Sequence, residues 1–446
     1  MKKAWIILSL LVTVLLTSCM GGGRNAMAAG GELTGISGTT LSEPAPYGMV
    51  LIERGSLKVG ADEPDSLWGT VIPAKEISVD AFWMDDTEVT NAEYRQFVYW
   101  VRDSIIRERL ADPAYGGDET YKIEEDEYGE PVTPHLNWKK KIPWKKPTED
   151  EQRAIESVYK IHPIDGTRML DASQMNYRYE VFDYVQAALR RNRLNPAERN
   201  RNTDVAVNPE EVVMISKDTA YIDEDGRIVR ETITRPLTGL HDFLNTYIVN
   251  IYPDTTCWVN DFQNVENEAY MRLYFSHPNY SQYPVVGVSW EQANAFCAWR
   301  TDYLMKGLGK AAQYIQRYRL PTEVEWEFAA RGGNRSKGYQ YSGSNTLSSV
   351  AWYGGNSSNT THPVKQKQTN ELGLYDMSGN VLEWCYDWIA DYSSSSLTNP
   401  KGPSTGSNRV LRGGGWSYYA QCCRVADRFS NSPGIRVNVS GLRFAL

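Results

Sequence analysis

From Tyr283 onward the sequence offers almost no long periodic run, and this limits what the chain can fold into more than any other feature. One helix can be drawn, from Trp290 to about Leu308, with Ser289 as N-cap and Ala293, Phe296, Cys297 and Trp299 on an apolar side. A short apolar strand, Val285–Val288, precedes it. The remainder is rich in Gly, Asn and Trp, so short elements must be held by tertiary packing, and by an ion where one binds.

Earlier stretches have other textures. Between Pro46 and Val101 lie a strand-like Met49–Ile52, a turn-rich connection and Phe82-Trp83-Met84. A helix follows to about Val101, with Thr90 and Glu93 spaced as a capping box and Phe97, Val98 and Val101 at core spacing. Residues 102–282 carry dense charge, such as Lys122–Glu127 and Lys139–Lys141, among Pro and Trp. Helices are expected at Glu149–Lys160 and Ser173–Arg191. Strands are expected at Glu211–Ile215 and Arg227–Ile233, flanking the turn pair Asp225-Gly226.

The N-terminus predicts a location. Lys2 and Lys3 precede an uncharged apolar run, Ala4–Leu16, of secretory length, and the run ends in Leu16-Thr17-Ser18-Cys19. That order reads as a lipoprotein signal peptide over 1–18, with a lipid on Cys19 and a Gly/Ala-rich flexible tether over 19–45. A net charge of −8 argues against general nucleic-acid binding. Setting Cys19 aside leaves Cys257, Cys297, Cys385, Cys422 and Cys423, an odd number without a CxxC pattern, and the five histidines form no zinc signature.

Seven motifs then occur in order. They are Asp86–Asn91 (DTEVTN), Pro284–Trp290 (PVVGVSW), Arg319–Glu327 (RLPTEVEWE), Ala329–Gly333 (AARGG), Gly373–Trp384 (GLYDMSGNVLEW), Arg412–Gly414 (RGG) and Gly441–Phe444 (GLRF). Together they resemble the formylglycine-generating-enzyme, or sulfatase-modifying-factor, family. The resemblance implies an α+β, C-type-lectin-like fold with little regular structure. It would be formed by 46–101 and 283–446, with 102–282 as a large α/β insertion that leaves and re-enters near one point. Replacing that insertion by a short linker is then expected to leave a folded core. Its charge runs, with Trp138, Trp144 and Trp258, suit a partner-binding region.

The family's enzymes oxidise a sulfatase cysteine with copper held by two thiols after the Arg-Gly-Gly motif, separated by four residues. Here the first position is Tyr418, and Cys422 and Cys423 are adjacent, so the pair is not reproduced and no catalytic residue is expected. A structural disulfide of the enzymes is also broken, because Cys297 matches one half and Phe444 stands at the other. The family's calcium site maps onto Gly379, Asn380, Val381 and Glu383, so structural calcium is the one cofactor the resemblance suggests.

The lipobox, the long segment after the first helix, and Tyr274–Pro278 further resemble the GldK/PorK lipoproteins of the type IX secretion system. That resemblance implies a non-catalytic outer-membrane lipoprotein on the periplasmic face, self-associating into a ring with a GldN/PorN-type protein. Alternatives are a GldJ-like gliding lipoprotein, a lectin-like module using Trp352, Asn356 and Trp416, or an active oxidase.

Overall fold

In the computed structural model, strands from the start of the fold pair with residues at its far end. The structure describes residues 45–64, 71–125, 130–163, 166–199, 211–259, 265–309, 316–391 and 397–446. Cys19, the expected signal peptide and the expected tether up to residue 44 lie outside the described residues. Strand β1 (Met49–Ile52) pairs antiparallel with β4 (Phe82–Asp85), and β2 (Gly55–Pro64) with β3 (Val71–Val79). Asp85 N–H donates to Phe444 O at 3.0 Å and Leu446 N–H to Trp83 O at 2.9 Å, so the two flanks meet as expected.

Helix α1 (Asn91–Leu110) starts at Thr90 through the capping box: Thr90 accepts the Glu93 N–H, and Glu93 accepts the Thr90 N–H at 2.8 Å. It continues past Val101 because Ile106 and Leu110 extend the buried stripe. The returning chain meets its first turn, where Asn91 N–H donates to Tyr283 O.

Residues 102–282 do not form a separate body; Tyr121, Ile142, Ile155, Met175, Tyr177 and Ile251 share one core cluster with Phe97, Phe296 and Leu442. The segment holds β5 (Lys122–Glu125) and β6 (Pro131–Leu136), then α2 (Glu149–Glu156), capped by Thr148 and Glu151. Next come β7 (Tyr159–Ile161), β8 (Arg168–Leu170), β9 (Asn176–Phe182) and α3 (Tyr184–Ala188). The expected helix at Ser173–Arg191 is therefore broken: its first half is strand β9 and only Tyr184–Ala188 is α-helical. Tyr177, Tyr179 and Val181 recur at period two in an aromatic, β-branched run, and that period wins. Around Asp225-Gly226, β10 (Met214–Ile222) and β11 (Ile228–Pro236) form the expected hairpin, but the first strand starts at Met214 and runs on to Ile222 instead of spanning Glu211–Ile215. Then β12 (Leu244–Asn250) pairs with β9, and α4 (Val265–Leu273) leads back to the flank.

Val285–Val288 is not a strand. Gly287 sits at φ +72, and a Cβ there would lie 2.3 Å from Asp254 O, so the chain turns through a narrow passage instead of extending. Helix α5 (Trp290–Leu308) then runs as expected from the Ser289 cap. Tyr94 stacks on Phe296 at 5.2 Å and Phe296 on Phe444 at 5.1 Å, so the ring at the lost half-disulfide packs against the residue next to Cys297. Each such buried aromatic contributes roughly 2 kcal/mol. Helix α6 (Glu323–Ala330) and the short α7 (Leu347–Val350) follow. Strand β13 (Leu382–Trp388) comes next, and β14 (Leu397–Thr398) joins β3. Then β15 (Arg409–Arg412), β16 (Arg428–Asn431) and β17 (Ser440–Gly441) complete a sheet in the order β16-β15-β13-β17. No helix among the described residues is long and apolar enough to cross a membrane.

Candidate functional site

The motif residues converge on a buried polar knot. Glu383 on β13 and Arg443 after β17 are fully buried and form an ion pair at 2.8 Å. Trp326 of α6 donates its indole N–H to the same carboxylate at 2.6 Å. Arg443 also donates to Asp85 O at 2.9 Å and Tyr375 O at 2.7 Å. Beside it, Glu88 accepts from Asn380 Nδ2 at 2.7 Å and from the Val381 N–H at 3.1 Å. Burial, with the Asp376 and Glu383 charges behind it, holds Glu88 well above the usual carboxylate range. Burial also pushes Asp376 up to about 6, and its Oδ1 is buried without a hydrogen bond.

Gly379, Asn380, Val381 and Glu383, where the resemblance suggests calcium, come together, and the side chains of Asn380 and Glu383 are engaged by protein. Arg443 supplies the counter-charge to Glu383. Asn380 Oδ1 accepts the His362 N–H, and the Asn380 carbonyl accepts the Trp416 N–H at 2.7 Å. Among the described residues no three His, Cys, Asp or Glu side chains are grouped to hold a metal. The sequence reading did not single out Glu88, Asp376 or Arg443. Their signal was there: charged residues embedded in otherwise apolar motifs.

The thiol segment lies after β15. At Gly414 (φ +75) a Cβ would lie 2.8 Å from Cys423 Sγ, so the glycine is needed for the 420–423 turn to pack against this loop. Cys422 and Cys423 are both buried, and Cys423 packs with Leu347, Val350 and Ala351. Burial pushes the Cys423 thiol up to about 12, away from the thiolate that ligates copper(I). Tyr418 points its ring edge-on at Phe429, 5.4 Å between centroids.

The residues considered for sugar are structural. Asn356 uses both ends of its amide on Tyr353 N–H and Ala351 O. Trp416 donates to Asn438 O and stacks on Trp258, while Trp352 stacks on His362 at 3.7 Å. Of the expected partner anchors, Trp258 is core, 3% exposed. Trp144 is exposed with Arg102 over its ring, and Trp138 stacks on Trp100 at 4.8 Å.

Against known proteins, the chain matches the model of the "sulfatase-modifying factor enzyme 1-like domain" over residues 39–177 and 217–446, which includes most of the expected insertion. It is 40% identical to the serine/threonine-protein kinase Pkn1 of Chlamydia trachomatis over 38% of this chain and 25% of that protein. It is 38% identical to the formylglycine-generating enzyme of Streptomyces coelicolor over 36% of this chain and 52% of the enzyme. The chain thus spans a quarter to about half the length of these curated relatives. The solved Treponema denticola variable protein 1 aligns over 89% of this chain and 94% of its own, at 22% identity and a TM-score of 0.37.

Proposed function

Since this chain belongs to the sulfatase-modifying-factor domain family, we propose that it keeps that family's fold without its oxidation chemistry and serves as a structural lipoprotein. The observation that carries this is Tyr418. The family's thiol spacing puts the first copper ligand there and the second at Cys423, and a phenol cannot replace a soft thiolate for copper(I). The remaining thiol is held protonated in an apolar cluster. In this reading Cys19 carries the lipid that fixes the chain to the periplasmic face of the outer membrane. The protein builds a ring with a GldN/PorN-type partner in type IX secretion and gliding. The exposed Trp144, with Arg102 and the lysine runs of 139–146 beside it, supports a partner surface of aromatic anchor and charged rim. The test is extraction of the full-length protein from its own membranes in mild detergent, with the co-purifying proteins identified by mass spectrometry. A GldN/PorN-type protein in near-equal amount is the expected result; its reproducible absence would sink the ring reading.

A further inference from the structure

A groove of about 680 Å³ runs between the β9–β12 region and the family core, and no residue of the polar knot or the thiol segment lines it. Tyr179, Val181 and Tyr247 form one wall; Trp290, Ala298 and Tyr386 face them. Arg409 also lines it and is 9% exposed. Its guanidinium lies 3.7 Å over the Trp290 ring and 3.5 Å over that of Trp388, which fixes its plane. Nη1 donates to Tyr386 O at 2.6 Å, whereas Nε is buried with no partner.

Arg409 differs from Arg230 and Arg319 there, while Arg317, the fourth arginine of the lining, has Asp302 as a charged neighbour. Arg230 pairs with Glu291 at 2.9 Å and Arg319 with Glu325 at 2.6 Å, but no carboxylate pairs with Arg409 among the described residues. Burial draws its pKa down to about 10. Asp387, whose charge reaches it, is itself pushed up to about 7 by burial. An uncompensated, pre-oriented guanidinium on the wall of an aromatic groove is a receptor for a carboxylate. Apart from Arg409 the lining carries Asp218, Glu231 and Glu291 against Arg230, Arg317 and Arg319, a balance that favours ligands with few charges of their own. Thr219, Thr246 and Asn294 can hydrogen-bond the main chain of an extended segment.

We propose that this groove binds an extended peptide, with a peptide carboxylate pairing to Arg409 and an apolar side chain packing on the Tyr179, Tyr247 and Trp290 wall. The site stands apart from ring assembly and from the fate of the family's copper chemistry.

The test is calorimetric titration of the full-length protein with acetyl-Ala-Tyr-Leu as the free acid, and with the same peptide as its C-terminal amide. The free acid should bind in the micromolar range and the amide about tenfold more weakly or worse. Arg409→Met should erase the difference between acid and amide. Because Arg409 also holds Tyr386, Thr232→Trp on the exposed face of the hairpin provides a second probe, filling the groove from its rim at the loss of one exposed hydrogen bond to Asp218. This variant should lose binding while melting like the wild type. Equal binding of acid and amide overturns the carboxylate assignment. No saturable binding of either peptide, undiminished binding by Thr232→Trp, or displacement of the peptide by a neutral oligosaccharide overturns the groove as a peptide site.

Discussion

Replacing Arg443 by Met tests whether the polar knot holds the two ends of the fold together. The substitution keeps the volume and removes the cation. Glu383 would then keep only the Trp326 N–H, and the carbonyls of Asp85 and Tyr375 would lose their buried donors. The unpaired carboxylate would also sit near Glu88 and Asp376, whose charges already act on it and on one another. Breaking a buried pair from one side costs roughly 3–5 kcal/mol, as much as many domains have to spare. For a domain of this size that is a fall in melting temperature of roughly 5 °C. Arg443→Lys should fall between, since one ammonium cannot reach all three sets of acceptors. Adding Glu383→Gln to Arg443→Met should restore part of the loss by removing the stranded charge. Differential scanning calorimetry at pH 7 measures all of these. An Arg443→Met protein melting within about 1 °C of the wild type would show that the pair is not load-sharing in this way and refute the reasoning.

The remaining expectations are shorter. Asp376 and Asp85 are both raised to about 6 when folded. Their neutral forms therefore favour folding below the ordinary value of 3.8, and this contribution is lost as pH rises through about 6. Melting temperature should drop between about pH 4 and pH 7 on this account, and Asp376→Asn should remove its share, up to ~3 kcal/mol. Purified protein given copper, oxygen and a sulfatase peptide should form no formylglycine by mass spectrometry; turnover that vanishes in a Cys422→Ser, Cys423→Ser variant would overturn the non-catalytic reading. Cys19→Ala should abolish palmitate labelling and release the protein from the membrane fraction, and normal membrane retention would dismiss the lipid anchor. Replacing 102–282 by a linker should unfold the protein rather than leave a core, because Tyr177, Ile251 and their neighbours cover α1 and α5. Cooperative melting of that deletion would contradict the shared core.

What the sequence made legible was local. The caps at Thr90 and Ser289 are readable because a capping box is a contact between residues three apart. The hairpin at Asp225-Gly226 was readable for the same reason. In the first half of Ser173–Arg191 the charges mask the period-two pattern of Tyr177, Tyr179 and Val181, so the strand there is not legible. Whether Tyr121 or Ile155 packs on its own segment or on Phe97 is a long-range matter with no local signature. The site was half legible. Asn380 and Glu383 were found through their motif, but their engagement by Glu88 and Arg443 depends on residues up to 292 positions away.

The Arg443 side chain reaches the Asp85 carbonyl across 358 residues of sequence, and Phe444 then covers Phe296. This has a consequence for the order of events in biogenesis. A chain emerging from N- to C-terminus presents β4, α1 and α5 long before the strand that joins them has been made. The aromatic layer between those helices lacks its Phe444 cover until that strand is made. Contacts of such long sequence separation form late, and the apolar faces they cover need protection from aggregation in the meantime.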